Sequence, residues 1–137
     1  KKLINLTQRY RLNKKIKFIE HCEEMPLAYS IADAVVSSSI EPEAFGRVSV
    51  EAQAMEKPII ASNLGGSKET ILNNKSGFLY KHNDPRELAK TLNNVIELDQ
   101  DTLKSIGNEG RKNVVKKFDV EVMCDSTLRE YKKLLNI

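Results

Sequence analysis

Short apolar runs alternate with helix-spaced patterns along the chain as far as residue 98, and everything beyond is patterned as helix. The runs "IKFI" (16–19), "DAVVSS" (33–38), "KPIIAS" (57–62) and "GFLY" (77–80) are short and apolar, without the in-out alternation of a strand that faces water on one side. They therefore predict four strands covered on both faces. Between them, "KKLINLTQRYRL" (1–12), "MPLAYSIA" (25–32), "FGRVSVEAQAM" (45–55) and "SKETIL" (67–72) predict helices. Strand and helix in alternation imply an α/β fold, a parallel sheet of about four strands with helices on both faces.

The segment "DPRELAKTLNNVIEL" (84–98) carries explicit start signals. Asp84 suits the N-cap, Pro85 the first helical position, and Glu87 the far end of a capping box. Leu88, Ala89, Leu92, Val95 and Ile96 then fall on one apolar face. Two further helices are predicted, "DTLKSIGNEGRKNVVKKF" (101–118) and "DVEVMCDSTLREYKKLL" (119–135). In the second, Val120, Met123, Cys124, Thr127, Leu128, Tyr131, Leu134 and Leu135 follow helical spacing, a stripe that predicts core packing. No repeat, low-complexity tract or linker interrupts the 137 residues, so residues 1–137 are expected to form a single domain.

Composition adds little except through charge. The chain is 40% apolar and 30% charged, as in ordinary globular proteins. No apolar run nears the eighteen or so residues of a membrane span and no apolar leader opens the chain, which predicts a cytoplasmic protein. Cys22 and Cys124 are isolated and read as reduced structural thiols, with no metal pattern. The first residue is Lys rather than Met, as expected of an excerpt from something longer.

The net charge of +3 conceals an asymmetry. From Glu20 to Glu56 there are eight acids and a single base, Arg47, which leaves 21 bases and 11 acids elsewhere. The bases are dispersed over helix faces and do not alternate with aromatics, which argues against nucleic-acid binding.

In open parallel sheets, ligands sit beyond the carboxyl ends of the strands, where loops lead into helix N-termini. The loops there are "EHCEE", "SSSIEPEA" and "NLGG". A helix starting near Phe45 or Gly46 would aim free N–H groups and its positive dipole end at an anion such as a phosphate. Gly46, and in the next loop Gly65 and Gly66, would admit a ligand close to the backbone, although Gly-Gly also suits a plain turn. Glutamates beside an anion need another reason. A carboxylate accepts hydrogen bonds from vicinal sugar hydroxyls and stabilises positive charge at an anomeric carbon. Glu43 in the loop and Glu51 in the helix thus fit a nucleotide-sugar, with its ribose, diphosphate and sugar, but the spacing alone leaves open two unrelated surface glutamates.

The stretch "EAFGRVSVE" (43–51) resembles the E-x7-E motif of retaining GT-B glycosyltransferases of family 4, the glycosyl transferases group 1. Its neighbours "YSIADAVVSSS", "EAQAMEKPIIAS" and "GGSKETILNNKSGFLYKHNDPRELAKTL" resemble the segments that surround that motif, in the same order, over residues 16–98. The resemblance implies a Rossmann-like donor-binding domain, the C-terminal half of a GT-B fold, truncated here and followed by two C-terminal helices. It further implies that Glu43 contacts the transferred sugar, that the backbone of Phe45, Gly46, Arg47 and Val48 holds sugar or diphosphate, and that Glu51 binds the ribose. The loop from His21 to Glu23 meets the base in relatives, though an ordinary loop is an equal reading, and His82 matches nothing. The donor would be a GDP- or UDP-sugar, bound without metal or other cofactor. The acceptor would be a glycan or glycolipid held by an N-terminal domain absent from the chain, so the fragment alone is expected to be inactive.

"EPEAFGR" is similar to mannosyltransferases of lipopolysaccharide core assembly, which would place the full-length enzyme at the inner face of the bacterial cytoplasmic membrane, with scope for peripheral membrane association. A GT-B sugar-nucleotide epimerase and a non-catalytic nucleotide-binding domain remain as alternatives. Two positions depart from the family: Glu20 and Glu56 stand where glycine is usual. In a left-handed C-cap, Glu56 would cost about 1 kcal/mol. The Arg and Lys that neutralise the diphosphate in relatives are expected upstream of Lys1.

Overall fold

The computed structural model describes residues 2–136, so Lys1, at the start of the first predicted helix, and Ile137 lie outside the described residues. The elements run α1 (Lys2–Arg9), α2 (Met25–Ser30), β1 (Val35–Ser37), α3 (Arg47–Ala54), β2 (Ile59–Ser62), α4 (Ser67–Thr70), β3 (Phe78–Tyr80), α5 (Pro85–Ile96), α6 (Gln100–Phe118) and α7 (Val120–Leu135). The strands form a parallel sheet in the order β1-β2-β3, with Val35 opposite Ile59 and Ile60 opposite Phe78. The α/β architecture therefore agrees with the apolar pattern.

Central strand β2 is buried at all four positions. Its side chains divide between two cores, as the pleat requires. Ile59 and Ala61 pack with Tyr29 of α2, Ala52 of α3 and Ile71. Ile60 packs on the opposite face with Tyr80, Val95 and the inner side of α5. The sheet is thus a middle layer between two helical layers, and the loops at its carboxyl edge are set by both.

Three strands form among the described residues rather than four. The "IKFI" run is not a strand, and Ile16, Phe18 and Ile19 are 41%, 47% and 71% exposed. An apolar run becomes a strand only when a neighbour pairs its backbone, and none of the described residues does so here. The stripe on α7 likewise fails as core: none of its residues is buried, with Leu134 79% exposed. Periodicity establishes that a helix has an apolar side, but covering that side needs a second element, and among the described residues none lies against it.

The helix starts follow local chemistry. The Asp84 carboxylate accepts from the N–H groups of Arg86 and Glu87, capping α5. Glu87 does not return to Asp84, as a capping box would require, but accepts from the Lys81 N–H at 3.0 Å and ties the end of β3 to the helix. Asp99 caps α6 through the N–H and hydroxyl of Thr102, bonds that hold its carboxyl below the usual range. No helix among the described residues is long and apolar enough to cross a membrane.

Helices α3 and α6 cross closely because α6 has glycines at the contact. A Cβ on Gly107 would fall onto the Glu56 carbonyl, and one on Gly110 would press on the Gln53 side chain. Gln53 donates to the carbonyls of Ser49 and Thr70, and Asn113 of α6 donates to the same Thr70 carbonyl at 2.9 Å. This buried polar contact joins α3, α4 and α6. At the end of α3, Glu56 does adopt the left-handed conformation, with φ 56°. Arg111 of α6 donates to the Ala54 carbonyl and lies 3.7 Å from the Glu56 carboxylate. That ion pair is half exposed and compensates little.

Two stability predictions result. Gly107→Ala should destabilise the protein by about 1–3 kcal/mol, because a backbone carbonyl rather than a movable side chain opposes the new methyl. Glu56→Gly should stabilise it by up to about 1 kcal/mol, since relief of the left-handed strain exceeds the loss of a solvated ion pair. Denaturant titration measures both. A loss of stability in Glu56→Gly would show that the Arg111 contact outweighs the strain.

Candidate functional site

Beyond Ser37 at the end of β1 the chain loops through residues 38–46 before α3 begins. Gly46 closes that loop as the N-cap of α3 in a left-handed conformation, φ 80° and ψ 55°, which a side chain would strain. No side chain caps the helix. Among the described residues, the backbone N–H groups of Arg47 and Val48 have no partner, whereas Ser49 N–H returns to the Gly46 carbonyl. Two unpartnered donors and the positive end of a helix dipole therefore open at the sheet's carboxyl edge.

The loop is held from beneath by the turn after β2. Gly66 N–H donates to the Glu43 carbonyl at 2.8 Å. A Cβ on Gly65 would come within 2.5 Å of that carbonyl and 2.7 Å of the Glu43 nitrogen, and one on Gly66 would strike the Phe45 carbonyl. Gly65 and Gly66 thus form a turn packed against the protein's own backbone, which matches the plain-turn reading of the pair. On the far side, the Phe45 ring meets Phe118 at the end of α6 edge to face, 5.6 Å between centroids. The second βα loop and the last turn of α6 together place the turn from Glu43 to Gly46.

Glu43 is half-buried, and the Ser39 hydroxyl donates to its Oε1 across the loop. Glu51 lies one turn into α3, with its side chain 35% exposed. The Arg47 guanidinium lies 3.1 Å from Glu51 Oε1, as helical spacing of four permits. The Tyr29 hydroxyl of α2 donates to Glu51 Oε2 at 2.9 Å. Burial, followed by the bond to Glu51 and its negative charge, pushes the Tyr29 hydroxyl up to about 12, so it remains a donor near neutral pH.

A groove passes Glu51, lined by Glu23, Met25, Pro26, Tyr29, Arg47 and Met55 among others. The structure gathers Glu43, Phe45, Gly46, Arg47, Val48, Gly65 and Gly66 around the start of α3, with Glu51 one turn into the helix beside the groove. His21 is exposed and is not part of the groove lining, to which its loop contributes Glu23. His82 is exposed as well. Sequence reasoning missed Tyr29 and Ser39. The available signal for Tyr29 was a phenol in an otherwise apolar helical stretch, since a buried tyrosine hydroxyl usually requires a partner.

Comparison with known proteins bears on the family and the fold. The family model described as glycosyl transferases group 1 matches residues 1–113. The capsular polysaccharide biosynthesis glycosyltransferase CapM of Staphylococcus aureus is 30% identical over 123 residues, 90% of this chain and 32% of that protein. A glycosyltransferase structure from Rickettsia africae superposes with a TM-score of 0.92 at 36% identity, over 98% of this chain and 36% of the other. Anabaena HepE, solved in complex with UDP and glucose, superposes with a TM-score of 0.89 at 29% identity, over 96% of this chain and 36% of HepE. The chain spans about a third of the length of such relatives. With the fold and these likenesses in agreement, the chain belongs to the glycosyl transferases group 1 family and has the α/β fold of GT-B glycosyltransferases.

Proposed function

We propose that this chain is the nucleotide-sugar-binding part of a retaining glycosyltransferase that transfers a hexose to a glycan or glycolipid acceptor. The observation that carries the proposal is the convergence, at one helix N-terminus, of unpartnered backbone donors with two carboxylates held by other side chains. The N–H groups of Arg47 and Val48, with the dipole of α3, suit the diphosphate. Glu51 takes the ribose hydroxyls. Glu43, oriented by Ser39, lies against the transferred sugar and stabilises positive charge as the glycosidic bond to phosphate lengthens. The groove beside Tyr29 receives the base.

Arg47 is the single base between Glu20 and Glu56, and a helix dipole adds only about half a charge. The remaining positive charge comes from residues outside the chain, as does the acceptor site, so the isolated chain does not turn over. No metal enters the scheme.

Binding of UDP and glucose by HepE supports a UDP-sugar donor. The "EPEAFGR" stretch supports GDP-mannose and lipopolysaccharide core synthesis at the inner face of the membrane. Titration of the full-length protein with UDP-, GDP- and ADP-sugars distinguishes these donors.

In full-length enzyme, Glu51→Ala should raise the KM for donor about tenfold or more with a smaller change in kcat, as loss of hydrogen bonds from a charged group predicts. Glu43→Ala should instead lower kcat about a hundredfold, since its contribution is made largely in the transition state. Steady-state kinetics with the preferred donor separates the two, and wild-type values in both variants would refute the assignment.

A further inference from the structure

Both carboxylate oxygens of Glu51 are engaged, by side chains of opposite character. Tyr29 is 5% exposed, and its ring is packed among Ala52, Ile59, Ala61 and Ile71. Its hydroxyl reaches Oε2 from a rigid part of the core. Arg47 meets Oε1 from the same helix, but its side chain is 84% exposed and its contact is screened by water. One oxygen is therefore held by the fold and the other is covered by a group free to leave.

A glutamate side chain has several rotatable bonds, and ordering it when ligand arrives weakens binding. We infer that Tyr29 is a positioning residue for ribose recognition: its hydroxyl holds Oε2 of Glu51 and presents Oε1, capped by the exposed Arg47, to the vicinal hydroxyls of the nucleotide. The inference rests on the reading of Glu51 as the ribose-binding group. When the hydroxyls take Oε1, the Arg47 guanidinium is released at the first turn of α3, beside the diphosphate. The exchange moves a positive charge from carboxylate to phosphate as the ligand binds.

The test compares the full-length protein with its Tyr29→Phe and Glu51→Ala variants in calorimetric titrations against UDP and dideoxy-UDP, which lacks both ribose hydroxyls. The corresponding GDP pair is used if GDP binds the wild type more tightly. Tyr29→Phe should weaken UDP roughly three- to tenfold and leave dideoxy-UDP unchanged, as loss of a hydrogen bond to a charged group acting through Glu51 predicts. Equal weakening of both ligands would assign Tyr29 a structural role and overturn the inference. Unchanged UDP binding in Tyr29→Phe, with a loss in Glu51→Ala, would overturn it while leaving the ribose assignment intact. Unchanged UDP binding in Glu51→Ala would overturn that assignment and the inference with it. If the phenylalanine variant does not fold, fluorotyrosine at position 29 reports the same contact. Its fluorine resonance should shift with UDP and not with dideoxy-UDP, and any other pattern overturns the inference.

Discussion

Strand β2 has no solvent-facing side, and the rest of the molecule is arranged around that constraint. Ile59 and Ala61 require a helical layer on one face and Ile60 requires another. Once both layers are in place, the chain leaving Ser62 has little freedom. It turns through Gly65 and Gly66 directly against the backbone of residues 43–45, at distances that leave no room for a Cβ. The loop bearing Glu43 is thereby fixed by main-chain contact with a neighbour whose own position is set by the most deeply buried strand. The position of the site is thus carried from core to edge by close packing.

Charge at that edge is divided by kind of group. Backbone N–H groups and a helix dipole offer positive character that costs no side-chain ordering, whereas the carboxylates stand on either side of the helix start. Each carboxylate is held by a hydroxyl, Glu43 by Ser39 and Glu51 by Tyr29. A neutral donor can orient a carboxylate without neutralising it, so both glutamates keep their capacity to accept from sugar hydroxyls. Arg47 differs in being charged, exposed and adjacent to the proposed phosphate position. Its contact with Glu51 is solvated and weak for that reason.

Much of the fold was legible because it depends on local chemistry. Asp84 and Pro85 mark the start of α5 in sequence and in structure, since N-caps and first-turn prolines act within a few residues of themselves. The left-handed conformation of Glu56 meets a condition that came from the resemblance, the glycine usual at that helix end. Glu87 shows the limit. Its spacing fits a capping box, yet the Lys81 N–H at the end of β3 is the partner it takes, a choice decided by an adjacent strand. In the site, the helix start and both glutamates were readable, whereas Tyr29 and Ser39 were not, because hydrogen bonds from a hydroxyl carry no sequence period.

The sequence by itself determined which segments are apolar, where α5 begins, and that carboxylates stand beside a glycine at a strand-to-helix turn. These follow from side-chain chemistry and backbone preference, which act over a few residues. Tertiary structure alone decided which apolar segments are covered. The runs at 59–62 and 16–19 look alike, but the first is buried between two layers and the second remains exposed and unpaired. The stripes on α5 and α7 likewise share a period, and only the first meets a sheet. Burial is a property of two surfaces, and a chain read one residue at a time specifies only one of them.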